Sequence, residues 1–148
     1  MVKVVKFGGS SRIKVLCEIM DAHRCAALRE TAERALASGA DGIDLGFGFD
    51  ATEDDVVRCF LELADLDCVL SVDTLSPALI RAALFRADLI FSLAAETIPL
   101  LADDVKKAGA AAVIIPRDGF GLTESVAAAR AAGLEMIFAD PLLQPPLS

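Results

Sequence analysis

The stretch Cys68–Thr74, CVLSVDT, decides the fold of this chain, because it couples an apolar run directly to a carboxylate. A parallel strand that is covered on both faces has a nearly continuous apolar sequence. The run ends at Asp73, and Ser76 and Pro77 follow with the residues of a helix N-cap and first turn. The stretch therefore predicts a buried parallel strand that carries a charge to the carboxyl edge of a sheet, where α/β folds place their ligands.

The same strand-to-helix pattern recurs along the chain. Six apolar runs suited to strands begin near Lys14, Gly42, Cys68, Asp88, Ala112 and Leu134. The segments between them are rich in Ala, Leu, Glu, Arg and Lys, and their apolar residues recur at three- and four-residue spacing. This spacing predicts five helices, at about 24–38, 52–64, 76–86, 97–108 and 122–132. Such regular alternation predicts parallel strands joined by right-handed crossovers.

Two architectures fit this alternation, an open doubly wound sheet and a (β/α)8 barrel of the TIM type. A full barrel takes about 200–250 residues, whereas this chain has 148. We expect the barrel type, incomplete with about six strands, in a single domain. Residues 1–12 are predicted to form an N-terminal hairpin or extension, and residues 142–148 a truncated tail. The first and sixth strands would then be open edges of the sheet.

Composition and charge exclude several classes of function. The net charge of −8 disfavours nucleic acid and anionic membranes as partners. No apolar run approaches the roughly 20 residues that span a bilayer, and residues 1–7 lack the apolar stretch and cleavage site of a signal peptide, so we expect a cytoplasmic protein. The four cysteines form no CxxC pair and are predicted to be free thiols. The open edges and the 55% hydrophobic content favour a homo-oligomer, such as a dimer.

Acidic residues lie at or just beyond nearly every predicted strand end. Asp50 and Asp118 suit capping or turn roles, because Asp favours both kinds of position. Asp44 and Asp73 differ, since they lie inside or at the end of apolar strands, where an unpaired carboxylate costs several kcal/mol to bury. We therefore expect Asp44 and Asp73 to serve a ligand or a hydrogen-bond network. The candidate site residues at the strand ends are Asp21, Asp44, Asp73, Ser92 and Asp140.

A ring of groups that only accept hydrogen bonds suits two kinds of ligand. One is a molecule rich in N–H donors, such as a pterin, a purine or a guanidine, and the other is a hard cation such as Mg2+. The loop 46–49, GFGF, would let backbone or an aromatic face approach a flat ring. No phosphate-binding glycine motif and no GxSxG elbow occur. The lone His23 argues against a catalytic triad and against a zinc site.

Three segments together resemble the dihydropteroate synthase, or pterin-binding, family. They are 38–46 (SGADGIDLG), 70–74 (LSVDT) and 139–141 (ADP). The family shows Gly-Ala-x-x-Ile-Asp-(Ile/Val)-Gly on strand two, Ser-(Val/Ile)-Asp-Thr on strand three and Asp-Pro on strand six. The resemblance implies a (β/α)8 barrel that binds a pterin deep in its carboxyl rim.

Carried over residue by residue, the resemblance implies that Asp73 and Asp140 hold the pterin ring and that Asp44 lies near the rim. Ser92 stands where the family has an Asn, and supplies one hydrogen bond in place of a bidentate amide. Asp21 alone survives from the family's strand-one motif, Asn-x-Thr-Pro-Asp. The family's Lys on strand seven and Arg-x-His on strand eight have no counterpart within these residues.

The segments 14–22 (KVLCEIMDA) and 92–96 (SLAAE) better resemble divergent dihydropteroate synthase-related proteins of organisms that use tetrahydromethanopterin. The resemblance implies condensation of a hydroxymethyl-dihydropterin diphosphate with an aryl amine, in folate or tetrahydromethanopterin biosynthesis, with Mg2+ neutralising the diphosphate. Three alternatives remain open: a non-catalytic pterin-binding domain or fragment that needs a partner, a methyl-tetrahydropterin methyltransferase-like barrel, and a truncated, non-functional product of a longer gene.

Overall fold

Strands and helices alternate throughout the chain in a computed structural model, which describes residues 6–117, 119 and 121–142. The strands are β1 (Leu16–Ile19), β2 (Gly42–Gly46), β3 (Val69–Asp73), β4 (Leu89–Leu93), β5 (Ala111–Ile114) and β6 (Ile137–Ala139). The helices are α1 (Leu28–Ala37), α2 (Glu53–Leu63), α3 (Pro77–Ala83), α4 (Ile98–Ala108) and α5 (Leu122–Ala131). Each predicted strand and helix has its counterpart here.

The first helix begins later than the sequence predicted. Residues Ala22–Arg24 form a separate 3₁₀ turn, and Cys25 after them is extended, with φ −74° and ψ 107°. This extended residue interrupts the helical path, so α1 starts only at Leu28.

The six strands form one parallel sheet in the order β1-β2-β3-β4-β5-β6. A doubly wound sheet reverses its strand order at a switch point, and no reversal occurs here. The strictly sequential order confirms an incomplete (β/α)8 type and excludes the doubly wound alternative. Among the described residues no pairing joins β1 to β6, so the barrel is open and these two strands are its edges.

Side chains alternate between the two faces of the sheet and so form two separate apolar layers. Leu70 and Val72 of β3 belong to the main core beneath the helices, in which Phe60 of α2 is fully buried. Val69 of the same strand lies on the other, inner face, in a smaller cluster with Leu89 and Val113. Successive side chains of a strand point to opposite faces, so the inner face is also the one that carries Ser71 and Asp73 of β3.

The ends of several helices are fixed by local capping interactions. The Thr52 hydroxyl accepts from the Asp55 backbone N–H at 3.2 Å, and the Asp55 carboxylate accepts from the Thr52 N–H at 3.1 Å, so the two residues form a capping box at the start of α2. Gly109 ends α4 in the left-handed conformation, with φ 70°. Ser76 is the N-cap of α3 with Pro77 after it, but its side chain makes no capping hydrogen bond.

The remaining sequence predictions fall partly outside the described residues. A turn in which the Ser11 N–H donates to the Gly8 carbonyl at 3.2 Å lies within the predicted hairpin, whose first arm falls on residues 1–5, outside the described ranges. Asp118 and residues 143–148 also lie outside them. No disulfide joins any of the four cysteines, all of which are described. Within the described ranges, no helix combines the length and apolar content that crossing a bilayer requires.

Candidate functional site

A cleft of about 650 Å³ opens at the carboxyl ends of β1, β2 and β3. The loop after β2 and the first residues of α2 and α3 complete its walls. Its acidic lining residues are Glu18, Asp21, Glu53 and Asp73. This is the edge of a barrel-type sheet at which ligands bind.

Strand register brings the carboxylates together. Parallel pairing places Glu18 of β1 beside Asp44 of β2, Asp44 beside Ser71 of β3, and Gly46 beside Asp73. Because all of these residues share the inner face, their side chains converge. Glu18, Asp44 and Asp73 each offer one carboxylate oxygen, and these three oxygens lie within 4.8 Å of one another.

Asp44 is the most buried member of this group, with 6% of its surface exposed. The Ser71 hydroxyl donates to its Oδ1 at 2.6 Å. Burial raises the pKa of Asp44 to about 6, the charges of Asp73 and Glu18 add to the rise, and the Ser71 hydrogen bond opposes it. Asp44 therefore exchanges its proton close to neutral pH and can present either a donor or an acceptor.

Asp73 is held by a distorted segment of the neighbouring strand. The Ser92 hydroxyl donates to Asp73 Oδ1 at 2.6 Å. Ser92 has φ 63°, in the left-handed region, and the register of β4 against β5 shifts between Ile90 and Leu93. Such irregularities re-aim a side chain next to functional sites. Here the distortion directs the Ser92 hydroxyl onto one oxygen of Asp73 and leaves the other oxygen without a described hydrogen bond.

Two glycines let the loop after β2 pass close to the carboxylates. A Cβ on Gly46 would lie 3.3 Å from Glu18 Oε1, and one on Gly48 would lie 3.1 Å from Asp21 Oδ1. Both distances are tighter than ordinary van der Waals contact. Phe49, at the tip of this loop, is fully exposed at the cleft.

The loop is tied to the 3₁₀ turn outside the cleft. Phe47 is buried and stacks on the ring of His23, with ring centroids 6.3 Å apart. His23 Nε2 lies 3.1 Å from Asp50 Oδ2, and the Arg24 guanidinium also contacts this oxygen. The hydrogen bond to His23, followed by that to Arg24, lowers the pKa of Asp50. Asp50 therefore has the predicted turn role and anchors the loop.

The structure brings four of the five predicted site residues to one place. Asp21 and Asp73 line the cleft, Asp44 lies beneath it and Ser92 lies behind Asp73. Asp140 is at the end of β6, three strands from β3, where its Oδ1 accepts the Leu142 N–H at 2.8 Å, and it does not line this cleft.

Sequence reasoning missed Glu18 as a site residue. It lies two residues before the end of the predicted first strand. Its position therefore indicated a functional role less clearly than the position of an aspartate at a strand end does. Its side chain shares the inner face with Asp44 because β1 and β2 pair at these two residues. The alternation of side chains along a strand could have identified Glu18. It lies two residues after Leu16 and therefore on the same face of β1, and Leu16 packs against the inner apolar cluster.

The triad of carboxylates fits a hard cation. Mg2+ and Ca2+ prefer carboxylate oxygens, and Glu18, Asp44 and Asp73 provide three in close proximity. No other group of residues with this property occurs in the described part of the chain.

Several solved structures with the same architecture are dihydropteroate synthases. The 7,8-dihydropteroate synthase of Vibrio fischeri ES114 is similar with a TM-score of 0.73 at 18% identity, over 88% of this chain and 61% of that one. The dihydropteroate synthase of Burkholderia cenocepacia, complexed with 7,8-dihydropteroate, is similar with a TM-score of 0.70 at 26% identity, over 89% of this chain and 59% of that one. The chain thus has a dihydropteroate synthase-like fold of the (β/α)8 type.

One curated relative is the uncharacterized protein MJ0107 of Methanocaldococcus jannaschii. It is 33% identical over 159 residues, which cover 95% of this chain and 30% of that protein. No protein-family model matches the chain. The chain therefore spans under a third of this relative and about three fifths of the two synthases.

Proposed function

We propose that the cleft binds a pterin ring and that this chain is the pterin-binding part of a dihydropteroate synthase-like protein. One observation carries the proposal: Asp73 lies at the end of β3, lines the cleft, and is held there by the Ser92 hydroxyl. A carboxylate only accepts hydrogen bonds, so it suits the adjacent N–H donors on the edge of a pterin. The fold shared with dihydropteroate synthases supports the same ligand class.

The neighbouring groups complement a flat, polar ring. Asp44, whose pKa is about 6, lies beneath the cleft near Asp73 and can change the local charge there by binding or releasing a proton near neutral pH. Phe49 and the glycine-rich loop after β2 offer an aromatic face and a close approach of backbone. Asp21 adds an acceptor at the rim. The role of Asp140 as a second grip on the ring stays a prediction from the family resemblance.

The condensation reaction itself would proceed by attack of an aryl amine nitrogen on the methylene carbon of the pterin. The C–O bond to the diphosphate breaks, the diphosphate leaves with the electron pair, and the amine loses a proton. Glu18, Asp44 and Asp73 are the residues that would hold Mg2+, and when bound the ion would neutralise the leaving group. Because Asp73 would then serve the ion, ring binding and ion binding compete for its oxygens.

A second candidate is pterin binding without this condensation, either in a module that needs a partner or in a methyl-tetrahydropterin methyltransferase-like barrel. The favouring observation is that no described residue that lines the cleft is basic. The homodimer, the cytoplasmic location and the tetrahydromethanopterin pathway stay predictions.

The test is calorimetric titration of 6-hydroxymethyl-7,8-dihydropterin into the protein with a chelator present. We expect Asp73→Asn to weaken binding by at least about tenfold, since a charge-assisted acceptor is lost. The matched control is Asp67→Asn, which makes the same change at an exposed position before the amino end of β3. This variant should bind the pterin as the wild type does. Equal affinity for the wild type and Asp73→Asn would refute the proposed ring site.

Condensation is tested separately from binding. The protein is incubated with the pterin diphosphate, 4-aminobenzoate and Mg2+, and diphosphate release is measured. Release that depends on Asp73 and on the amine supports the transferase, whereas ring binding without release supports the second candidate.

A further inference from the structure

Every charged side chain that lines the cleft is negative. Glu18, Asp21, Glu53 and Asp73 contribute carboxylates, and no Lys, Arg or His lines it among the described residues. Asp44 adds a further carboxyl group directly beneath. A ligand in this cleft therefore meets a strongly negative field.

The cations of neighbouring elements are engaged elsewhere. Arg24 contacts Asp50. Arg58 donates to Asp55 at 3.1 Å and to the carbonyl of His23 at 3.0 Å. Arg117, just after β5, pairs with Glu96 at 3.2 Å. None of these three arginines lines the cleft.

The two helix starts that border the cleft are also poorly suited to an anion. Free N–H groups at a helix N-terminus are a common phosphate site. At α2 the capping box engages the N–H groups of Thr52 and Asp55, and the first turn carries three acidic residues, Glu53, Asp54 and Asp55, which repel an anion. At α3 the first position is Pro77, which removes one of the N–H groups that a helix start can offer.

We infer that, without a bound divalent cation, the cleft selects its ligand by charge and takes a neutral or cationic ring with several N–H donors that carries no phosphate. This inference rests on the proposed function and specifies the class of pterin that the site prefers. Glu18 is the specificity-determining residue. It is exposed, it lines the cleft, and one of its oxygens lies within 4.8 Å of oxygens of Asp73 and Asp44.

The geometry explains why Glu18 has this effect. A diphosphate joined by one methylene to a ring held at Asp73 stays near the ring, among carboxylates that, without a bound metal ion, no described cationic side chain offsets. Two like charges about 4 Å apart repel even in water and more strongly at a protein surface. An unphosphorylated ring avoids this repulsion and keeps the hydrogen bonds to Asp73.

The experiment compares three probes by calorimetry in a chelating buffer: 6-hydroxymethyl-7,8-dihydropterin, its diphosphate ester and inorganic diphosphate. We expect the uncharged pterin to bind at least about tenfold more tightly than its ester, and inorganic diphosphate to give no heat, because each close like-charge pair is unfavourable. Glu18→Gln should narrow the preference several-fold by improving the affinity for the ester. The control is Glu30→Gln, which changes the net charge by the same amount at an exposed position on α1. It should leave the preference for the uncharged pterin unchanged.

A second measurement needs no variant. Raising the salt concentration should improve the affinity of the wild type for the ester and leave the affinity for the uncharged pterin nearly constant, since salt screens the repulsion. If, in the absence of metal, the ester binds as tightly as the uncharged pterin, the inference of charge selection is wrong, while the proposed binding of the pterin ring is supported. If neither pterin binds, the proposed function fails, and the inference fails with it.

Discussion

Replacing Asp44 by Asn tests the electrostatics of the site without changing its shape. Asp44 is buried, accepts a hydrogen bond from Ser71, and has a pKa raised from 3.8 to about 6, chiefly by burial. An Asn keeps the acceptor oxygen for Ser71. Its amide N–H groups would face the nearby carboxylates of Glu18 and Asp73. The substitution therefore removes a buried charge and leaves few groups without partners.

The size of the expected change in the free energy of unfolding follows from the pKa shift of Asp44. One pKa unit corresponds to about 1.4 kcal/mol, so a rise from 3.8 to about 6 corresponds to about 3 kcal/mol at most. A pKa that is higher in the folded state means that the folded protein binds more protons. The favourable contribution of Asp44 is therefore complete below pH 3.8 and is lost as the pH rises through about 6. At pH 8 we expect Asp44→Asn to stabilise the protein by about 1–3 kcal/mol, and at pH 4 to have little effect.

The assay is urea unfolding at several pH values from 4 to 8, with a chelator to exclude divalent cations. The informative quantity is the difference in free energy of unfolding between Asp44→Asn and the wild type, because it cancels the contributions of the carboxylates that do not interact with Asp44. Asp67→Asn, at an exposed site, should show no such trend. A difference that stays constant across this pH range would contradict the account of a buried, proton-binding carboxyl group.

Substitutions at three further positions probe the scaffold, each by urea unfolding at pH 7. Ser92→Gly should be more stable than Ser92→Ala by about 1 kcal/mol, because both lose the hydrogen bond to Asp73 but only Gly relieves the left-handed backbone. Equal stability of the two would argue against strain at this residue. Thr52→Ala should cost about 0.5–2 kcal/mol through loss of the α2 N-cap, and an unchanged midpoint would show that the cap contributes nothing. Gly42→Ala should cost about 1–3 kcal/mol, because its Cβ would lie 2.6 Å from the Val69 carbonyl oxygen; a neutral result would mean that β2 and β3 can separate easily.

Much of the local structure could be predicted from the sequence. The start of α2 was predictable because a Thr and an Asp three residues apart satisfy each other's backbone groups in any helix. The run that ends at Asp73 was predictable as a strand because its length and apolar content suit burial on both faces. The first helix was predicted too early, since the extended conformation of Cys25 leaves no clear mark in the sequence.

The composition of the site was only partly predictable. Asp44 and Asp73 stood out because a carboxylate is costly to bury inside an apolar run, and the structure places both at one cleft. Glu18 did not stand out, because its role depends on the pairing of β1 with β2. The placement of Asp140 away from this cleft was equally invisible, since it depends on the position of β6 in the sheet.

The sequence by itself determined the alternation of strands and helices, the caps between them, and the acidic character of the strand ends. These features depend on residues that are close neighbours in the chain. Only the tertiary structure decided that the strands follow one another in sequential order, that Glu18 joins Asp44 and Asp73, and that a distorted β4 turns Ser92 onto Asp73. These features depend on register between segments far apart in the chain, and a shift of one residue would carry each side chain to the opposite face of the sheet.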